Sequence, residues 1–333
     1  MTADAVRAIA DAVLYEGYLL WPYRRSATKN RRRWTFGGVY PPGHAEAHPD
    51  DPCVMRAACL LENGGDATVE VQVRFLHVVE RAVGRDGPAG LALVDELTVG
   101  DRRFLAWEEA AEREIGVPPL PVGGSRHVPI AIPGDRVEED LLDPAGRRAG
   151  AIVRSWEPLD GAVEVAAERV ADGLARVSVT IANGSASSGG DREAALRRTF
   201  CSTHAVLRAR GGAFVSQTDP PRALRDAAAA CRNEGCWPVL VGEPGERQTV
   251  LASPIILEDH PRIAPESPGD LFDGGEIDQL LVLNILSLTD AEKAEMRETD
   301  PRAREILERT EALTPEQLMR LHGAIREFGT ARR

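Results

Sequence analysis

Thr68 to Val83, TVEVQVRFLHVVERAV, decide the fold of this chain. Val69, Val71, Val73 and Phe75 lie on one side of that stretch, and Glu70, Gln72 and Arg74 lie on the other. Successive side chains of an extended strand point to opposite faces, so this period of two predicts a half-buried antiparallel strand. Just before it, Cys53 to Leu61 forms a second apolar run. Between the two sits Glu62-Asn63-Gly64-Gly65-Asp66, whose Asn-Gly pair is a strong tight-turn signal. The sequence therefore predicts two strands separated by a turn.

Further back, Asp4 to Leu20 has apolar positions at helical spacing and runs into Trp21-Pro22, where proline stops a helix. Trp34 to Tyr40 reads as a short aromatic strand closed by Pro41-Pro42. Further on, Leu93 to Glu114 passes from strand-like to helix-like near Trp107, and His127 to Ile132 reads as an edge strand because it contains Pro129. A second β-rich section starts near Val163. Its alternating positions are Val163, Val165, Ala175, Val177, Val179 and Ile181, with Ala171-Asp172-Gly173 as the hairpin turn. Ser185 to Asp191 reads as a linker, Thr199 to Arg208 as a strand, and Gly211-Gly212 as a turn. Asp219-Pro220-Pro221 looks like the start of a helix over Arg222 to Asn233, and Trp237 to Gly242 resumes β structure.

Asn63-Gly64 before His77 and Asn183-Gly184 before His204 give a hint of internal duplication. From Thr289-Asp290 the chain turns helical, with a break at Asp300-Pro301 and a capped last helix opening at Thr314-Pro315-Glu316-Gln317 and running to Phe328. The fold class expected is α+β: antiparallel β-sandwich-like layers, duplicated if the repeat is real, with an N-terminal helix and a C-terminal helical extension. The matching division is 1–157, 158–288 and 289–333.

At 333 residues, 43% hydrophobic and 28% charged, the chain has a globular composition and can bury a sizeable core. A formal net charge of −12 argues against a nucleic-acid partner, which requires a basic face. No apolar run is long enough to span a bilayer, and the N-terminus has no signal-peptide pattern, so a cytoplasmic protein is expected. In that setting Cys53, Cys59, Cys201, Cys231 and Cys236 are expected to be buried thiols, and Asn183-Gly184-Ser185 is a turn.

The densest run of chemistry-bearing residues is Ser253 to Asp290. It passes from a strand through a proline-rich acidic loop into an apolar helix. Glu258, Asp259 and His260, with the acids that follow, could hold a divalent cation such as Ca²⁺, Mg²⁺ or Ni²⁺. The spacing matches no EF-hand, and caps with solvated acids explain the same residues. His77, His204 and His260 are the candidate imidazoles, each more simply a satisfied structural histidine. Cys201 and His204, three apart on a strand, face opposite ways and should not meet. Gly37-Gly38, Gly123-Gly124 and Gly189-Gly190 form no phosphate-binding loop. Trp34, Trp107, Trp156 and Trp237 would make a ligand-binding β-sandwich only if all four were exposed in one groove.

The basic cluster Arg24, Arg25, Lys29, Arg31, Arg32 and Arg33 stands out in an acidic protein. Together with Glu266, Asp270, Phe272, Asp273 and Glu276 of the stiff acidic loop, and with the helical tail, it is the expected surface for a protein partner.

Leu14 to Pro41 (LYEGYLLWPYRRSATKNRRRWTFGGVYP) and Ser253 to Leu281 (SPIILEDHPRIAPESPGDLFDGGEIDQLL) resemble signatures of a family of proteins encoded beside high-affinity, actinobacterial-type nickel–iron hydrogenases. Gly211 to Pro221 and Trp237 to Gly242 share the resemblance. It implies a non-catalytic accessory role in assembling or maturing the hydrogenase, with hydrogenase subunits as partners. The chain lacks the paired CxxC motifs that hold a nickel–iron centre, which agrees with a helper role.

Overall fold

The computed structural model describes residues 3–18, 33–34, 36–186, 191–262 and 278–320. The chain divides into two compact units, Met1–Glu16 with Trp34–Arg262, and Gly17–Arg33 with Ile263–Arg333. It is mostly antiparallel β-sheet, with a helix at its N-terminal end and helices at its C-terminal end.

In the first unit the strands are β1 (Val54–Gly87), β2 (Gly90–Val94), β3 (Glu96–Val99), β4 (Arg102–Leu105), β5 (Trp107–Pro121), β6 (Ser125–Ile132) and β7 (Asp135–Leu142). They continue as β8 (Arg148–Trp156), β9 (Leu159–Ala171), β10 (Leu174–Asn183), β11 (Cys201–Phe214), β12 (Trp237–Leu240) and β13 (Thr249–Ser253). Eleven of them form one curled sheet. Its main path is β12-β13-β11-β1-β10-β9-β6, with β2, β5 and β8 also on β1 and β7 on β8, while β3 and β4 pair separately. β1 therefore joins both β-rich sections of the sequence in a single sheet.

β1 is 34 residues long and runs straight through the expected turn at Asn63-Gly64. Leu61 pairs with Phe214 and Thr68 with Arg210, so both sides of the Asn-Gly signal bind the same neighbour. The register shifts between Asn63 and Thr68, opposite Gly211, whose φ is +71°. Extra residues on one strand and a left-handed glycine on the other make a bulge that bends the sheet. Both turn signals, Asn63-Gly64 and Gly211-Gly212, were thus absorbed into one bend.

The helix-like stretch after Trp107 is instead the 15-residue strand β5, paired from Arg81↔Trp107 to Thr68↔Pro121. Ala and Glu favour helix, but the backbone of β1 needs a hydrogen-bonding neighbour, and that tertiary demand wins. The expected strand over Trp34 to Tyr40 reduces to a single bridge, Val39↔Phe200. The expected helix after Asp219 is a 3₁₀ turn, Arg222–Leu224, followed by a short α-helix, Arg225–Ala229, with Pro221 at the cap position. The backbone N–H of Asp219 bonds Ser216 Oγ at 2.8 Å. The β9–β10 hairpin does turn at Gly173, with φ +66°, and β6 is an edge strand as its proline implied.

Val69, Val71, Val73 and Phe75 are all 0% exposed and join the main core with Val163, Val165, Val177, Val179 and Leu207. Phe75 stacks on Phe200 with ring centroids 4.6 Å apart. Fully burying each such Val or Phe is worth about 1.5–3 kcal/mol. The helix α1 (Ala3–Tyr15) lays Val6, Ile9, Ala10 and Val13 on Val206, Val239, Val241 and Leu251, the opposite face of the sheet.

In the second unit, Arg33 is buried and stacks over the Tyr18 ring at 5.5 Å, and Tyr18 donates its hydroxyl hydrogen to Asp300 Oδ2 at 2.6 Å. Asp300 also caps the helix Pro301–Glu311 by accepting from Arg302 N, so the predicted Asp-Pro break is a built junction. Thr289 and Glu292 form a capping box on the helix Asp290–Thr299. Thr314 and Gln317 bond reciprocally ahead of the helix Pro315–Arg320, while the rest of the last predicted helix lies outside the described residues. Among the described residues, no helix is long and apolar enough to cross a membrane.

Candidate functional site

The segment Phe36 to Tyr40 is pinned to the start of β11 by backbone bonds. Val39 and Phe200 exchange N–H···O contacts of 3.0 and 3.1 Å, Ser202 N donates to Phe36 O, and Thr203 N donates to Gly37 O. Asn183, at the end of β10, buries its side-chain amide and donates to both Val39 O (2.8 Å) and Arg198 O (2.7 Å). Three residues of this junction take left-handed backbone: Trp34 (φ +62°), Gly37 (+56°) and Ser202 (+51°). Such conformations cost about 1–3 kcal/mol each in a non-glycine residue and persist only when the surroundings enforce them. Gly37 is glycine for a further reason: a Cβ there would lie 2.6 Å from Pro254 Cβ.

This junction makes one wall of a cleft of about 310 Å³. Phe36, Tyr40, Asp50, Asp51 and Arg192 line it, together with Trp237 at the start of β12 and Pro254 just past β13. The volume is at the small end of ligand pockets. Phe36 and Trp237 remain 39% and 46% exposed, so two large apolar faces stay open to solvent in one concavity. Arg192 Nη2 donates to Trp34 O at 3.1 Å and to Tyr40 Oη at 2.9 Å, and the guanidinium sits over the Tyr40 ring. Its role is to clamp the wall. Burial pushes the Tyr40 phenol up to about 12 despite the nearby Arg192 charge, so it stays protonated. Tyr40 stacks on His44, and His44 Nε2 pairs with Asp51 Oδ2 at 2.8 Å. Asp50 is exposed at the mouth.

Away from the lining itself, Asp259 works as a latch. Its carboxylate accepts from Ser216 Oγ, from Thr218 Oγ1 at 2.8 Å and from Leu240 N at 2.7 Å. The next residue, His260, has φ +57°, donates its backbone N–H to Leu240 O and has Nδ1 3.1 Å from Gly242 O. Asp259 and His260 thus tie three segments together. Among the described residues, no group of three or more His, Cys, Asp or Glu side chains is placed to hold a metal ion.

His77 and His204 are both fully buried. Burial first, and then the Arg113 guanidinium facing its Nδ1, brings His77 down to about 4. Burial likewise brings His204 down to about 4, with the Ser202 carbonyl on its Nδ1 only partly opposing the shift. Both are neutral core imidazoles. Cys201 Sγ donates to Thr199 O, but the strand period does not hold between Cys201 and His204. The register shifts at Ser202, and the two residues pair with Leu76 and Arg74, two apart on β1, so the expected opposite facing is not what the pairing gives. Burial also pushes up the thiols of Cys59, Cys231 and Cys236, the last to about 12, so none is a thiolate nucleophile at neutral pH. Cys59 does lie within electrostatic reach of Cys231 and Cys236, a clustering invisible in their spacing.

Of the expected partner-binding residues, Arg33 is internal to the second unit, while Arg24, Arg25, Arg31, Arg32, Glu266, Asp270, Phe272, Asp273 and Glu276 lie outside the described residues. The four tryptophans do not share a groove: Trp34 and Trp107 are buried, and Trp237 alone lines the cleft. The sequence reading missed Asp50, Asp51 and Arg192. Only their convergence from distant stretches distinguishes them from ordinary surface charges.

No family model and no curated protein matches the chain.

Proposed function

We propose that the chain is a non-catalytic accessory protein that acts by binding a protein partner at the Phe36–Trp237 cleft. The observation that carries this reading is convergence. Phe36 to Tyr40, Trp237 and Pro254 all line the cleft, and Asp259 latches Ser216 and Thr218 to Leu240 of β12, the strand that Trp237 opens. These residues come from the four stretches that resemble the proteins encoded beside nickel–iron hydrogenases, which directs the choice of partner to hydrogenase subunits. Exposed aromatic side chains on a rigid, cross-braced frame are the usual anchors of protein interfaces, since they bury large area at little entropic cost. The neutral histidines and thiols described above offer no activated acid, base or nucleophile.

The test is direct binding of the full chain to purified nickel–iron hydrogenase subunits. The expected result is saturable binding that falls at least tenfold in Phe36→Ala and Trp237→Ala. Absence of binding, or binding that both variants retain at full strength, overturns the reading.

A further inference from the structure

Charge and aromatic surface meet in the cleft in a way that specifies what enters it. Its two open aromatic faces, Phe36 and Trp237, share the concavity with the carboxylates Asp50 and Asp51. Among the described residues, the one cation in the lining is Arg192. It is fixed by two neutral acceptors and covers the Tyr40 ring. Asp51 is engaged by His44, which leaves Asp50 at the mouth as the exposed acid. A cleft that holds both an aromatic face and a carboxylate attracts a cation, because the negative ring face and the acid act in the same sense. The protein around it carries a net charge of −12, which steers positive groups toward it.

Building on the protein-binding reading, we propose that the cleft receives a basic side chain, Arg or Lys, projecting from an extended segment of the partner. The aliphatic stem lies between Phe36 and Trp237, and the charged head meets Asp50 at the mouth. A guanidinium fits best, since it stacks on an aromatic face and pairs with a carboxylate at once. The internal Arg192–Tyr40 pair is an example of the same contact within the cleft itself.

The experiment uses four blocked pentapeptides, acetyl-Gly-Gly-Xaa-Gly-Gly-amide with Xaa as Arg, Lys, Met or Glu, titrated into the full chain while its tryptophan fluorescence is followed. Arg and Lys peptides should bind at least tenfold more tightly than Met and Glu peptides, and the preference should shrink at high salt. Asp50→Asn should erase the preference without moving the unfolding midpoint, and Trp237→Phe should retain it while losing the optical signal, which is then read by calorimetry. Equal binding of Met or Glu, no saturable binding by any of the four, or a preference that Asp50→Asn leaves intact overturns the proposal. If tetramethylammonium alone binds as tightly as the Arg peptide, the site is a small-cation pocket and the proposal also fails. Hydrogenase binding that Trp237→Ala abolishes but Asp50→Asn preserves would sink this inference while leaving the accessory function standing.

Discussion

Arg74 on β1 and Asp11 on α1 face each other across 2.6 Å, a guanidinium only 3% exposed held by a carboxylate 45% exposed. Glu112 (3.1 Å) and Glu114 (3.9 Å) on β5 flank the same guanidinium, and Tyr15 donates to Glu112. One buried cation therefore fixes the N-terminal helix to two strands.

Removing the cation should cost more than removing any one acid. In Asp11→Ala the guanidinium keeps two partners, so the loss should be about 0.5–1 kcal/mol. Arg74→Ala leaves a buried gap and unmatched acids that can partly rehydrate, so about 2–3 kcal/mol is expected. Urea denaturation of both variants checks the order. Equal losses would mean that Asp11 is the main tether.

Stability should fall on acidification in a window set by the two core histidines. His77 and His204 titrate near 4 when folded and near 6.5 when unfolded. Between those values the unfolded chain binds protons that the native state refuses, so stability drops as pH falls through that interval and is level above about pH 7. The full effect is on the order of 3 kcal/mol for each residue. His204→Gln should flatten the slope of the unfolding free energy between pH 6.5 and 4, and an unchanged slope would contradict the assignment.

Asp259→Ala should loosen the latch locally. Three hydrogen bonds are lost, one of them from the amide of Leu240, at a cost of about 2–3 kcal/mol. Hydrogen exchange at Leu240 should quicken in this variant more than exchange in β9 or β10. Added Ca²⁺, Mg²⁺ or Ni²⁺ should not raise the wild-type unfolding midpoint. A midpoint that rises with metal, and no longer does so in Asp259→Ala or His260→Ala, would return the loop to the divalent-cation reading.

Gly37→Ala should displace the cleft wall. The new methyl would lie 2.6 Å from Pro254 Cβ at a φ of +56°, a steric and a conformational penalty together. A loss of about 1–2 kcal/mol is expected, with weaker partner binding.

Legibility in the sequence followed the range of the interactions. The buried faces of Val69 to Phe75 and of Ala175 to Ile181, the Gly173 hairpin and the Thr289 and Thr314 caps could all be read because each depends on neighbours a few residues away. Asn63-Gly64 and Gly211-Gly212 misled because each is a turn signal in isolation, and only their pairing across β1 and β11 turns them into a bend. Trp107 to Glu114 misled because helix propensity is a local quantity and the demand of β1 for a partner is not. The cleft was least legible. Phe36 was recognised only as a strand aromatic, Trp237 only as a strand residue and one of four tryptophans of a groove that does not exist, and Asp50 and Arg192 carry no local mark.

The length of β1 also has a consequence for how the chain is made. Its opening stretch, Val54 to Glu62, must wait for Ala182 to Leu174, and its middle for Phe214 to Cys201, before those edges are covered. During synthesis a long apolar strand therefore emerges more than a hundred residues ahead of the partners that close it, leaving open hydrogen-bonding edges on the nascent chain. Pairings this distant in sequence also make folding slow. Yield of the native protein should thus depend on holdase chaperones and low temperature during expression, even though β1 ends up in the largest apolar cluster of the first unit.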